Sequence, residues 1–150
     1  MNKIETNQRN ATRNQSTADF QRKNIFTFGN RNQEGVFLNN TGADLTALAG
    51  ILVKRSTGSL TNKDRFVPIE GGGDESAIVG ILNVEGETVL AATETINCNV
   101  CISGDVDASL LTLPAGVTIN TVVGDKLLKD ILTNLGFVLN NVTENSNFDN

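Results

Sequence analysis

The chain has 150 residues, a net charge of −5 and a hydrophobic fraction of 39%, which is enough for one domain that buries about two-thirds of its unfolded surface. Histidine, tryptophan and tyrosine are absent. Their absence removes the commonest general base, the commonest metal ligand and every Ser-His or Cys-His nucleophile pair. It also leaves little from which to build a carbohydrate-stacking or single-stranded nucleic-acid platform.

No apolar run approaches the roughly 20 residues of a membrane span, and Met1-Asn2-Lys3-Ile4-Glu5-Thr6 does not lead into the apolar stretch of a Sec-type signal peptide. The expectation is a protein made in the cytoplasm, with neither membrane nor nucleic acid as partner. Residues 1–24 are rich in Asn, Gln, Thr, Ser and Arg. They carry Lys3, Arg9, Arg13, Arg22 and Lys23 against Glu5 and Asp19, a net of +3. Such a stretch buries too little apolar area to offset its ordering entropy and is expected to be a disordered arm in the free protein. Extended, it would reach about 80 Å. Residues 71–150 carry Lys126 and Lys129 against eleven carboxylates, a net of −9. A basic arm on an acidic body fits an arm that meets an acidic surface while the bodies repel one another.

A β-rich domain is expected over 25–140, with a polar tail at 141–150. In Asn24-Ile25-Phe26-Thr27-Phe28-Gly29, alternation places Phe26 and Phe28 on one face of a strand, as an anchor, an edge strand or a part of the domain's own core. Val36 to Leu38 reads as a short strand before the turn residues Asn39-Asn40-Thr41-Gly42. Residues 45–55 alternate in part. Ser56-Thr57-Gly58-Ser59 reads as a turn, and 65–69 as a strand whose Pro68 favours an edge or a strand end.

Ala77-Ile78-Val79-Gly80-Ile81-Leu82, after the loop Glu70-Gly71-Gly72-Gly73-Asp74-Glu75-Ser76, is a continuous apolar run bounded by turn residues. That pattern points to a strand buried on both faces. Gly80 weakens such a strand unless a bulge or a close backbone neighbour requires its missing side chain. Residues 95–103 alternate, with Ile96, Cys98, Val100 and Ile102 on one face and Asn97, Asn99, Cys101 and Ser103 on the other. Closely spaced strands of this kind predict a small β-barrel or sandwich. One helical turn is expected near Asp105-Val106-Asp107-Ala108-Ser109-Leu110-Leu111, capped by an aspartate. One α-helix is expected over 125–136, with Leu127, Leu128, Ile131, Leu132 and Leu135 as its apolar stripe, Asp125 as cap and Gly136 as its end. Phe137 to Leu139 reads as a final strand.

Catalytic chemistry is not expected. Cys98-Asn99-Val100-Cys101 spells C-x-x-C, but on a strand residues three apart point to opposite faces, and zinc would need two further ligands. The thiols read as buried or otherwise unremarkable, as a reducing compartment allows. Asp105 with Asp107 and Asp74 with Glu75 are acidic pairs outside any EF-hand spacing, and solvated loops are the expectation for them. No phosphate-binding GxxxxGK[ST] is present, and no acid, base and nucleophile converge on one site. Neither a metal nor another cofactor is expected.

The order of these features is similar to one known family. An arm precedes Thr46-Ala47-Leu48-Ala49-Gly50-Ile51-Leu52-Val53-Lys54, then Asp64-Arg65-Phe66-Val67-Pro68-Ile69, a Gly-Asp loop and the 77–82 run. The chain closes with a helix and Gly136-Phe137-Val138-Leu139. Over roughly residues 43–139 this resembles the lambda-type capsid (head) decoration proteins of tailed bacteriophages. The resemblance implies a structural subunit on the outer surface of the virion capsid. It implies a homotrimer that binds the major capsid protein and stiffens the shell. The arm, with Arg9, Arg13, Arg22, Lys23, Ile25, Phe26 and Phe28, would be the capsid-binding element. The lack of tryptophan and tyrosine and the longer, Asn-rich arm depart from the family's pattern. A fibre-base or surface-binding module of a virion is the alternative, with the loop at 71–76 as its contact.

Overall fold

In a computed structural model, which describes residues 24–57 and 64–141, the chain is mainly β with one short helix near the C-terminus. The disorder expected of the arm, half of the turn at 56–59 and the tail from 142 lie outside those residues. The strands are β1 (Phe26–Leu38), β2 (Leu45–Ala47), β3 (Leu52–Arg55), β4 (Phe66–Pro68), β5 (Ile78–Asn83), β6 (Thr88–Leu90), β7 (Thr95–Asp107), β8 (Val122–Val123), β9 (Lys126–Leu127) and β10 (Phe137–Asn140); the helix is α1 (Leu128–Leu135). The main sheet runs β1-β4-β3-β5-β7, and β7 pairs back onto β1, so these five strands close into a small barrel. At 13 residues, β7 is long enough to serve three neighbours. Along one edge lies β1. Along the other, β5 pairs near Cys101 and β10 pairs from Gly104 onward.

Two apolar clusters lie on opposite faces of the central strands. One fills the barrel with Phe37, Val53, Phe66, Leu82, Cys98 and Val100, closed at one end by Ala47 and Leu90 of the separate β2–β6 pair. The other, with Leu52, Ile81, Cys101 and Val106, lies under α1 and is completed by Leu128, Leu132 and Phe137. Neighbouring residues thus go to different clusters: Leu52 and Val53, Ile81 and Leu82, Val100 and Cys101. That is why these strands read as continuous apolar runs. The expected half-buried face of residues 95–103 holds for Asn97 and Asn99, which are exposed, but Cys101 is enclosed by the second cluster.

Gly80 meets both conditions that would justify a glycine there. Val53 pairs with Gly80 and Lys54 with Ile78, so Val79 is an extra residue, a bulge in β5. The bulge resets the alternation and sends Ile78 and Ile81, three apart, into the same cluster. A Cβ on Gly80 would meet the Cys101 carbonyl oxygen at 2.5 Å and collide with Val100 Cγ1.

Two expectations need correction. The strand residues 26–28 and 36–38, read as separate, belong to one strand. The polar residues between them carry no apolar pattern and are held in β conformation by cross-strand pairing with β7. The helix begins three residues later than expected, because Gly124 and Asp125 form the turn between β8 and β9. Asp125 therefore caps nothing. The N–H groups of Leu128 and Lys129, without partners inside the helix, donate to the carbonyls of Thr121 and Ile119 at 2.9 Å each. Gly136 ends the helix in the left-handed region, as expected. The turn near Asp107 is a short 3-10 helix, Ala108–Leu110, whose first N–H groups include Ser109 N–H donating to Asp107 Oδ1.

A polar residue pins the barrel's closed end. Asn39 is fully buried, and its Nδ2 donates to the carbonyls of Ala43, Leu90 and Ala91 at 2.7, 2.9 and 3.1 Å. Its Oδ1 accepts from the Thr41 backbone N–H and hydroxyl. Read from sequence as a turn residue, it ties the end of β1 to β6 and to the loop before β2.

Candidate functional site

The described residues begin at the end of the sheet where β1 starts, and this end is built differently from the barrel's middle. Because β1 is antiparallel to β7 and β10 is parallel to it, β1 starts where β10 ends. Two rows of side chains cross β1, β7 and β10 there. Phe26 pairs with Val106 and Val106 with Leu139, and all three pack in the cluster under α1. Phe28 pairs with Asp105 and Asp105 with Val138; Phe28 and Val138 are 76% and 55% exposed.

Phe26 and Phe28 therefore do not share a face, contrary to expectation. The register of β1 shifts between them, and again between Phe28 and Arg31, with Gly29 at φ 65° in between. The bulged backbone lies directly on Gly104: a Cβ there would meet Asn30 Cα and the Gly29 oxygen at 2.7 Å, and Gly104 itself has φ 115°. The bulge is held by Thr27 Oγ1 and Asn30 Nδ2, which donate to the Asp105 carbonyl at 3.2 and 3.0 Å.

Of the residues expected to bind a partner, Arg9, Arg13, Arg22 and Lys23 lie outside the described residues. Ile25 is 2% exposed and reaches Gly50, where a Cβ would stand 3.2 Å from its Cδ1. Phe26 is half-buried. Ile25 and Phe26 thus pack into their own domain rather than onto a partner, and Phe28 alone of the three stands out in solvent. Beyond the root, the outer edge of β1 pairs only at Phe37, with Phe66; from Phe26 to Val36 it has no strand partner among the described residues. Sequence reasoning missed Asp105 and Val138 as neighbours of Phe28. The one signal was the alternation of Phe137 and Leu139 around Val138, which marks Val138 as the outward residue of its strand.

The other chemical candidates lie apart from this end of the sheet or in its hydrogen-bond network. Cys98 and Cys101 are free thiols in different clusters. Burial pushes the Cys98 thiol up to about 11, and burial likewise raises that of Cys101. Asp74 binds Lys54 Nζ at 2.8 Å and accepts the Glu70 N–H at 3.2 Å. The Lys54 hydrogen bond holds its carboxyl below the ordinary value. Glu75, expected in a solvated loop, is instead 2% exposed, and its Oε2 accepts the Gly73 N–H at 3.0 Å. That bond folds the glycine loop onto the short 3-10 helix Asp74–Ala77. Asp107 accepts from Ser109 and Asn141. Among the described residues no three His, Cys, Asp or Glu side chains are grouped as metal ligands, and no helix is long and apolar enough to cross a membrane. No family model, no curated protein and no solved structure matches this chain.

Proposed function

We propose that the chain is a head decoration protein of a tailed bacteriophage: a non-enzymatic subunit that binds the outer surface of the capsid shell, as homotrimers, and stabilises it. The observation that carries this reading is the edge of β1 from Phe26 to Val36, which has no strand partner among the described residues and which follows a 23-residue basic, polar segment in the sequence. An unpaired strand edge is a template on which a partner's strand is added. The partner in this reading is the major capsid protein. Arg9, Arg13, Arg22 and Lys23 supply charge attraction to it, Phe28 supplies apolar contact, and Ile25 with Phe26 transmits the load to the barrel. The mechanism is mechanical and needs no cofactor. Each subunit makes modest contacts, and the symmetry of the shell multiplies them.

Quantitative peptide mass spectrometry of purified phage particles tests the reading. A copy number comparable to that of the major capsid protein is expected. A handful of copies per particle would favour a fibre-base or surface-binding module, and absence from particles would overturn the proposal. Deleting residues 1–23 is expected to weaken shell binding while the urea midpoint of the domain stays within experimental error, because Ile25 and Phe26 remain.

A further inference from the structure

The arm reading leaves open which surface of the folded body meets the shell. Five large apolar side chains stand exposed among the described residues: Phe28, Val89, Val122, Leu135 and Val138. Val89 lies on β6, Val122 on β8 and Leu135 on α1. Phe28 and Val138 differ from these in being register partners of the same residue, Asp105, one from each side. Two strand spacings separate their backbones, about 10 Å. Residues paired in register share a face of the sheet, so Phe28, Asp105 and Val138 form one outward row. The Asp105 side chain makes no hydrogen bond or ion pair among the described residues, while its backbone carbonyl accepts from Thr27 and Asn30.

The geometry points to the row Phe28–Asp105–Val138 as the docking face of the body, fitted to a protein surface on the shell that offers apolar side chains around one basic group. This rests on the decoration reading and extends it from the arm to the folded domain. The strand directions supply the placement. β1 starts and β10 ends beside this row, so the described residues that join the segments 1–23 and 142–150 lie at this end of the sheet. A partner that grips the arm at its root therefore faces these three side chains. The charge supplies the rest. A carboxylate flanked by two apolar groups gains most from a partner cation that those groups shield from water.

The test uses the full-length chain and purified expanded shells stripped of it, with binding read by co-sedimentation at several salt concentrations. Val138→Asp is expected to weaken binding about tenfold or more, the range of a central apolar contact. Asp105→Asn is expected to weaken it less and to flatten its salt dependence. Val89→Asp and Val122→Asp, equally exposed on other elements, are expected to bind as the unmodified chain does. All four sites are partly or fully open to solvent, and a urea midpoint for each variant separates lost contact from lost fold. Wild-type-like binding by both Val138→Asp and Asp105→Asn, with the arm deletion still impaired, overturns the docking face and leaves the decoration reading standing. Losses of the same size in Val89→Asp and Val122→Asp also overturn it. Altered proteolysis of the arm in free Asp105→Asn, with shell affinity unchanged, would assign the row to the chain's own Arg22 and Lys23 instead. Failure of the unmodified chain to bind any shell removes both proposals together.

Discussion

The strand β7 passes through two settings within a dozen residues. At Val100 and Cys101 it is covered twice: Val100 points into the barrel, Cys101 points under α1, and both edges are paired. Between Ser103 and Val106 both edges are again paired, yet only one face is covered; Val106 is buried while Asp105 faces outward between Phe28 and Val138. Both edges of β7 are paired in the two places, antiparallel to β5 in the first and parallel to β10 in the second; what differs more is the packing. The first setting can fold only around fixed shapes and the second leaves room for a partner. Stability should therefore concentrate in the first and tolerance to substitution in the second.

The largest expected effect tests that contrast at its tightest point. Gly80→Ala places a methyl group 2.5 Å from the Cys101 carbonyl oxygen, a backbone atom that cannot rotate away. The strands would have to part, at a cost of about 3 kcal/mol or more. Val138→Ala, at the open end of the same sheet, should change stability by less than about 0.5 kcal/mol. Urea denaturation of the two variants reads both numbers, and equal costs would erase the distinction. Asn39→Ala comes next. It strips the carbonyls of Ala43, Leu90 and Ala91 of their shared donor in a buried place and should cost about 2–3 kcal/mol. Asn39→Asp should cost more, since a carboxylate would turn acceptor oxygens toward three acceptors. A neutral result for either would mean that water replaces the amide there.

The doubly covered middle is also the part that was legible in the sequence. Ile51-Leu52-Val53 and Ile81-Leu82 announce strands because neighbours bury in different clusters, and Gly80 in such a run already demanded a bulge or a close neighbour. The stripe Leu128, Ile131, Leu132 announced α1 for the same reason, its buried face repeating at helical spacing. The end where β1 begins was less legible. Nothing in Asn30-Arg31-Asn32-Gln33-Glu34 encodes a strand by itself, since its conformation comes from β7, far away in sequence. The register shift between Phe28 and Arg31, just after the one that separates Phe26 from Phe28, depends on Gly104 lying against Gly29 and Asn30, again a distant residue. Asp125 misled because an acidic residue before an apolar stripe looks the same whether it caps a helix or turns a hairpin. Glu75 and Asn39 were hidden by their type: polar residues among glycines and asparagines read as solvent-facing until their hydrogen-bond partners are known.

The smallest expected effect belongs to the bridge between the glycine loop and β3. Lys54 Nζ and Asp74 Oδ1 are 2.8 Å apart, with side chains 20% and 29% exposed, so water and salt screen most of their attraction. The Asp74 carboxyl is held below its ordinary value, first by the Lys54 hydrogen bond. A carboxyl whose folded value is depressed binds fewer protons folded than unfolded over the interval between the two values. Its contribution is therefore complete above the ordinary value of 3.8 and is lost as the pH falls through the lowered one. Asp74→Asn keeps an oxygen for the Glu70 N–H but turns its NH2 toward Lys54, and so removes the charge together with the Lys54 hydrogen bond. At pH 7 and low salt it should cost about 0.5 kcal/mol. The difference from the unmodified chain should shrink in 1 M salt, where the screening length is about 3 Å, and vanish in acid well below 3.8. A cost that survives both salt and acid would show that the loop is fastened by the shape of the carboxylate site rather than by its charge, and would move the bridge to the rigid side of the comparison with β7.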